Sequence, residues 1–529
     1  MEGMKTVKIG LSGAQTFNDK NKDGYGEFEG WGTSLCWWAN RLGYSITLAE
    51  KSARAFFDPV KGIGMNIGRY NIGGGDNVTD PKGPFYHEPH IKRSDSEVPG
   101  YCTDVTEIDL KAQDKRYYEE NFTRADFDCG YAWNYDWEAD RRQMNILKAA
   151  MKAAGDEFIA EAFSNSPPYF MTVSGCSSGG EDPGEDNLRE DSVKAFAVYL
   201  SDVVEHWKNE GVVTFQSIDP MNEPASSYWK FNSEKQEGCH FSQGKSQSEI
   251  LVALKKELEK KGIDMILCAS DETSIDVAIE SYEALSEEAK KAVDRIDTHS
   301  YMGDKRVLLK ETAEKAGKNL WMSEVDGADG LFAVGEENSG MRAALGIANA
   351  IITDLNRLKP TAWIMWDAVD LHVDSQNEFD TCTRSEADRI TEEGLPFWGI
   401  AIADHDREEL LLGKKYYAFG QFSKYIRPGY CLIDSCDTCT AAFNPKDGTA
   451  VVVALNKEPG DTKWTFDLSD FGKLDKNTKI TVIRTSGMLK DGENLADVTG
   501  KCEAKITDDG TGFEAEIKGY SVTTFVVKK

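Results

Sequence analysis

The chain is predicted to be an α/β protein, a (β/α)8 barrel with an antiparallel β-sandwich at its side, and three observations support this. From Gly30 to about residue 426, short apolar runs that end in polar residues alternate with segments of helical period. After Arg427-Pro428-Gly429 the texture changes to short β-branched runs separated by Gly, Asp and Lys turns. The length, 529 residues, exceeds what one ordinary core organises. The expected division is residues 1–29 for an N-terminal strand that joins the sandwich, 30–426 for the barrel and 427–529 for the sandwich.

Gly30 to Ala39 opens the series of strand and helix units, and Gly64 to Ile72 is the second strand, closed by Gly73-Gly74-Gly75-Asp76. That glycine cluster lacks Gly-x-Gly-x-x-Gly spacing and a following Lys-Ser/Thr, so it reads as a turn and not a phosphate loop. Residues 76–137 form a long insertion rich in turn formers and aromatics, expected to overhang the cleft and shape its subsites. A helix over 138–154 leads to strand three, Glu157 to Phe163. Val193, Phe196, Ala197, Leu200, Val203, Val204 and Trp207 recur at helical spacing and mark the clearest helix, a core-facing stripe. Phe215 to Ile218 is strand four. Ser246 with Glu249 reads as a capping box opening a helix that Gly262 stops. Strand five is Met265 to Ala269, strand six Arg295 to Tyr301, strand seven Asn319 to Glu324 and strand eight Thr361 to Asp367, with a closing helix near Tyr416 to Tyr425. Eight strands alternating with helices imply a closed parallel TIM barrel, with its chemistry at the carboxyl ends of the strands.

Composition excludes several classes of partner. Lys plus Arg 61 against Asp plus Glu 90 leaves a net charge of −29, which repels nucleic acid and anionic membranes. The chain shows neither a signal-peptide core nor a membrane span, so a cytoplasmic protein is expected, or a secreted one if a signal has been removed. An odd number of cysteines, 11, without paired spacing fits free thiols, and Cys436-Asp437-Thr438-Cys439 stands without a second pair or histidines. Asp19, Asn21, Asp23 and Gly24 imitate the start of a calcium loop, but Gly30 occupies the position of the required Glu, so a surface turn is expected. No cofactor and no metal is expected, and oligomeric state is open. A neutral partner, a carbohydrate, suits the acidic surface and the 12 Trp and 19 Tyr, because sugar rings pack their C–H faces on aromatic side chains.

Two stretches carry the chemistry. Ser217-Ile218-Asp219-Pro220-Met221-Asn222-Glu223-Pro224 is a strand running into a polar turn, and Asn319-Leu320-Trp321-Met322-Ser323-Glu324-Val325-Asp326-Gly327 repeats the form. Two carboxylates presented by strand ends are what glycoside hydrolysis needs, one to protonate the leaving oxygen and one to attack or direct water. A Glu at a strand terminus is usually a solvated edge, and it is the recurrence of the strand-turn-helix pattern that raises both. A barrel that binds carbohydrate without chemistry is the rival from another class.

The segments GWGTSLCWWA, SNSPPYFM, DPMNEP, DTHSYMGD, WMSEVDG and YYAFGQFSKYIRPG, with Arg69 and Trp366, together resemble glycoside hydrolase family 30 over nearly the whole chain. The resemblance implies a retaining hydrolase with Glu223 as acid/base, kept protonated by its neighbour's charge, and Glu324 as nucleophile. It implies substrate contacts from Trp38, Arg69, Asn165, Asn222, His299, Tyr301 and Trp366, with Trp366 under the sugar. The strand-one pattern is most similar to the endo-β-1,6-galactanase branch. β-1,6-Glucanase, β-fucosidase and xylan-cleaving branches are alternatives, because loops decide specificity.

Overall fold

A computed structural model describes residues 5–15, 26–92, 96, 98–326, 339–377, 381–475 and 477–529. The calcium-like loop and the Gly327 turn lie outside these residues.

Eight parallel strands close on one another: β1 (Gly30–Ser34), β2 (Ile67–Asn71), β3 (Ile159–Phe163), β4 (Ser217–Asp219), β5 (Ile266–Ser274), β6 (Arg295–Met302), β7 (Asn319–Glu324) and β8 (Ala362–Met365). Closure occurs between β8 and β1, where Ala362 to Met365 pair with Gly30 to Thr33. Sequence reasoning therefore located every barrel strand. β5 runs five residues beyond its expected end and delivers Asp271, which the apolar pattern did not mark.

Helices fill the outer layer where their stripes require it. Val193–Asn209 buries Phe196, Tyr199, Leu200, Val203, Val204 and Trp207 along one face. Trp31 of β1 donates from its indole nitrogen to Ile426 O at 2.7 Å and packs edge-on against Phe419, which pins the closing helix Lys414–Ser423 onto the first strand. The expected capping box at Ser246 is absent. The helix spans Lys245–Lys261, its N-cap is Gly244 with φ +84° and no side-chain cap, and Glu249 pairs with Lys245 instead. A backbone turn that only glycine adopts easily replaced the side-chain cap. The left-handed stop at Gly262 is present.

The second half of the 76–137 insertion, from Cys102 to Tyr135, is not a loop. It folds into its own three-stranded sheet of Cys102–Glu107, Tyr131–Tyr135 and Arg124–Asp126, with a helix at Lys115–Asn121. Arg124 and Tyr135 both reach Asp202 at 2.6 Å, so this sheet docks on the Val193–Asn209 helix, and its Tyr131 and Trp133 pack on Phe170 in the connection after β3.

The sandwich comprises a six-stranded sheet, Cys431–Cys436, Cys439–Phe443, Ala450–Asn456, Ser521–Lys528, Lys479–Ser486 and Glu493–Asp497 in spatial order, facing a four-stranded one. In the second sheet Lys5–Lys8 pairs parallel with Trp464 to Asp467, which joins the N-terminal strand to the C-terminal layer as expected. Phe466, Phe513 and Phe525 form the aromatic centre between the sheets. All 11 cysteines are free thiols. Among the described residues no helix is long and apolar enough to cross a membrane.

Candidate active site

The barrel interior below the cleft holds a charged layer beside an apolar cluster of Ile67, Trp321, Ala362 and Ile364. Arg69 of β2 is fully buried and donates to Glu161 of β3 at 2.9 Å, to Asp271 of β5 at 2.6 Å and to Glu324 of β7 at 3.2 Å. One level down, Arg295 of β6 engages Asp297 at 2.6 Å and also Glu161, while its guanidinium lies over the Trp321 ring. Alternating strand positions send these side chains inward together, and each buried charge has an opposite partner, the condition for tolerating it away from water.

This lattice positions the two glutamates. Glu324, 4% exposed, accepts from Arg69 Nη1 at 3.2 Å on one oxygen and from the Tyr301 hydroxyl at 3.1 Å on the other. Glu223 sits just past β4 with φ +48°, in the left-handed region where a non-glycine residue is strained by about 1–3 kcal/mol. Its backbone N–H is held at 2.9 Å by the carbonyl of Asp271, itself at φ +56°. His299 is fully buried between the pair, with Nδ1 3.2 Å from Glu223 Oε1 and 3.6 Å from Glu324 Oε1, and Nε2 3.1 Å from Asp271. The other Glu223 oxygen accepts from the Tyr228 hydroxyl. One carboxylate oxygen of Glu223, one of Glu324 and a His299 nitrogen all lie within 4.8 Å of one another.

Electrostatics divide the pair in the opposite sense to the sequence expectation. Burial pushes Glu324 up, against the charges of His299 and Arg69, to about 7. Burial also acts on Glu223, but the hydrogen bond and charge of His299 and the hydrogen bond of Tyr228 outweigh it and leave the carboxyl below its usual value. Burial opposes the charged form of His299, and the Glu324 and Asp271 carboxylates overcome it and raise the imidazole well above its ordinary value. Glu223 is thus not held protonated by its neighbour in the resting site, because two donors point at it.

Above the glutamates lies a cleft of about 430 Å³ lined by Trp37, Asn222, Tyr228, Trp229, Thr273, Tyr301, Asp370, Trp366 and Trp398 among others. Asn222 is buried and, among the described residues, its Oδ1 has no hydrogen-bond partner. Trp37 and Trp366 meet edge to face at 5.0 Å and form one wall. Trp38 is not part of it. Its indole is fully buried, donates to Ser34 O at 2.8 Å and packs on Phe56, so helical geometry puts Trp37 toward the cleft and Trp38 into the core. Asn165 is 2% exposed and contacts Cys36 at 3.7 Å beneath the wall, outside the cleft lining. Among the described residues the insertion contributes no lining residue; its Val98 supports Trp37 and Trp366 from behind. Sequence reasoning missed Tyr228, Trp229 and Trp398. The first two stand five and six residues after Glu223 and could have been found by asking which aromatics follow each strand end.

A family model for O-glycosyl hydrolase family 30 matches residues 111–283. An endo-beta-1,6-galactanase from Hypocrea rufa is 28% identical over 512 residues, covering 95% of this chain and 92% of that protein. An exo-beta-1,6-galactobiohydrolase from Bifidobacterium longum subsp. longum is 26% identical, covering 87% of this chain and 33% of that protein. The catalytic domain of GH30 xylanase C from Talaromyces cellulolyticus shares the fold, with TM-score 0.65 at 17% identity over 99% of this chain and 100% of that one. The family match over residues 111–283, the near-full-length relative and the barrel with its sandwich agree on glycoside hydrolase family 30 as the family this chain is similar to.

Proposed function

We propose that the protein is a retaining glycoside hydrolase that cleaves β-1,6-linked galactan or galacto-oligosaccharides through a covalent glycosyl-enzyme intermediate. The observation that carries this reading is the close approach of Glu223 and Glu324 oxygens, within 4.8 Å across His299. Retaining pairs lie about 5–5.5 Å apart, and inverting pairs need about 6.5–9.5 Å to admit a water.

His299 Nδ1 gives its proton to Glu223 along the 3.2 Å hydrogen bond and takes up the proton of Glu324 Oε1, 3.6 Å away, which leaves Glu324 a carboxylate and makes Glu223 the acid. Glu324, oriented by Arg69 and Tyr301, attacks the anomeric carbon as Glu223 protonates the departing oxygen, and an ester to Glu324 forms. Glu223, now a carboxylate, takes a proton from water, whose oxygen attacks the anomeric carbon from the face the first leaving group vacated and displaces Glu324. Two inversions give net retention. Asn222 Oδ1 is placed to accept from a sugar hydroxyl, and the Trp366 and Trp37 wall covers the ring's C–H face.

The galactan reading is supported by the two relatives named for β-1,6-galactose chemistry. A glucuronoxylanase XynC from Bacillus subtilis, 24% identical over 73% of this chain and 77% of its own length, supports a xylan alternative more weakly. The test is digestion of linear β-1,6-galacto-oligosaccharides beside β-1,6-gluco-oligosaccharides and glucuronoxylan, with products separated by chromatography and the first-formed anomer read by NMR. Cleavage of the galactose series with a β-anomer product is expected. Cleavage of only another substrate overturns the galactan assignment, and an initial α-anomer overturns the two-step mechanism.

A further inference from the structure

A second cluster of ligand-bearing side chains lies outside the catalytic pair. His87-Glu88-Pro89-His90 brings two imidazoles together, with ring centroids 4.9 Å apart, and the loop after β3 returns Cys176 to meet them. One ligand atom each from His87, His90 and Cys176 lies within 4.8 Å of the others. Cys176 Sγ is 3.6 Å from His90 Nε2, and His87 Nε2 is 3.4 Å from Oδ1 of Asp76, whose side chain is only 1% exposed.

These separations have a specific meaning. Around a tetrahedral zinc ion, bonds of about 2.3 Å to sulfur and about 2.0–2.1 Å to nitrogen give an S···N edge of about 3.5 Å. The 3.6 Å between Cys176 Sγ and His90 Nε2 matches that edge. The tautomer also fits. His87 Nδ1 lies 3.2 Å from the Glu88 carbonyl, which can only accept, so Nδ1 carries the proton and Nε2 turns toward Asp76. An imidazole that donates one N–H to a backbone carbonyl and aims its other nitrogen at a shared centre is the usual arrangement of a metal-bound histidine.

We propose that His87, His90 and Cys176 hold a zinc ion, with its fourth position open to water. The site joins two segments with no regular pairing to each other. Asp76 already accepts from Ser177 N at 2.9 Å and from Ser177 Oγ at 2.8 Å, and Gly180 pairs with Lys230 directly after Tyr228 and Trp229. The ion therefore fastens the start of the insertion to the loop that backs the Tyr228 wall of the cleft. The Ser178 hydroxyl, 3.1 Å from both Cys176 Sγ and His90 Nε2, supplies the competing explanation, a hydrogen-bonded cluster without metal.

The test is metal content and spectroscopy of the full chain, purified without chelator and reconstituted with zinc(II). About one zinc per chain is expected, with a melting temperature several degrees above that of the chelator-stripped protein, because binding to the folded state alone stabilises it. Replacing zinc with cobalt(II) in the wild-type chain is expected to give a thiolate-to-cobalt charge-transfer band and intense tetrahedral absorption. Cys176→Ser removes the charge-transfer band and His90→Ala lowers the zinc content. No zinc retained and no cobalt–thiolate band in the wild-type chain overturns the proposal in favour of the hydrogen-bonded cluster. Undiminished zinc in a Cys176→Ser/His90→Ala chain overturns it in favour of binding elsewhere, at Glu223, His299 and Glu324, which inhibition of turnover by added zinc would locate.

Discussion

At the floor of the cleft, Arg69, Asp271, His299 and Glu324 are each at most 4% exposed and come from strand ends joined by direct ion pairs and hydrogen bonds. The walls are made differently. Tyr228, 47% exposed, donates its hydroxyl to Glu223 from a connection beyond β4, and the half-buried Trp398 approaches Tyr301 ring to ring at 6.3 Å. On the proposed mechanism, the difference teaches that geometry for bond breaking rests on a mutually compensated charge lattice, whereas substrate fit rests on aromatic side chains carried by connections.

The sharpest way to break this comparison is at the floor. Glu324→Gln keeps shape and removes the attacking charge, and kcat is expected to fall by at least about 10³-fold with sugar binding still measurable by calorimetry. Turnover within about tenfold of wild type would show that the carboxylate is not the nucleophile. Arg69→Met tests whether the lattice is a unit. Removing one member of a buried ionic network leaves its partners uncompensated, so Glu161 and Asp271 should cost about 3–5 kcal/mol in denaturant unfolding. A loss below about 1 kcal/mol would mean that water or rearrangement rescues those carboxylates. The smallest effect belongs to the wall. Trp398→Ala is expected to raise KM by about three- to tenfold, from loss of about 1 kcal/mol of aromatic contact, with kcat and the melting temperature nearly unchanged. A drop in kcat as large as that of Glu324→Gln would erase the distinction between floor and wall.

Legibility in the sequence followed the same line. Glu223 and Glu324 could be read because each ends an apolar run, and a strand end fixes where a side chain emerges. Arg69, Asn222, His299, Tyr301 and Trp366 came with the motifs around those ends, and the structure brings all five to the pair or its cleft. Trp38 was misplaced because Trp37 and Trp38 are adjacent and equally apolar, and only the turn of the helix decides which one faces the core. Asp271 was hidden by its place in the polar end of β5, where no hydrophobic period marks register. The cluster of His87, His90 and Cys176 was illegible for a further reason: the His87-x-x-His90 spacing lacks a local second pair, and Cys176 meets it only through the path of two connections.

What the sequence determined by itself is the periodic part: eight strands, their helices, the change to β-branched runs after residue 427 and the two glutamates at strand ends. These follow from local alternation between burial and exposure, which one chain segment expresses alone. Tertiary structure alone decided that a histidine and a tyrosine hold Glu223 low while burial holds Glu324 high, that Trp37 and not Trp38 meets the cleft, and that the second half of the insertion becomes a sheet on a helix flank. Each of those depends on charges, rings or backbones brought together from distant segments, and the energy of such a contact is written in no single stretch of sequence.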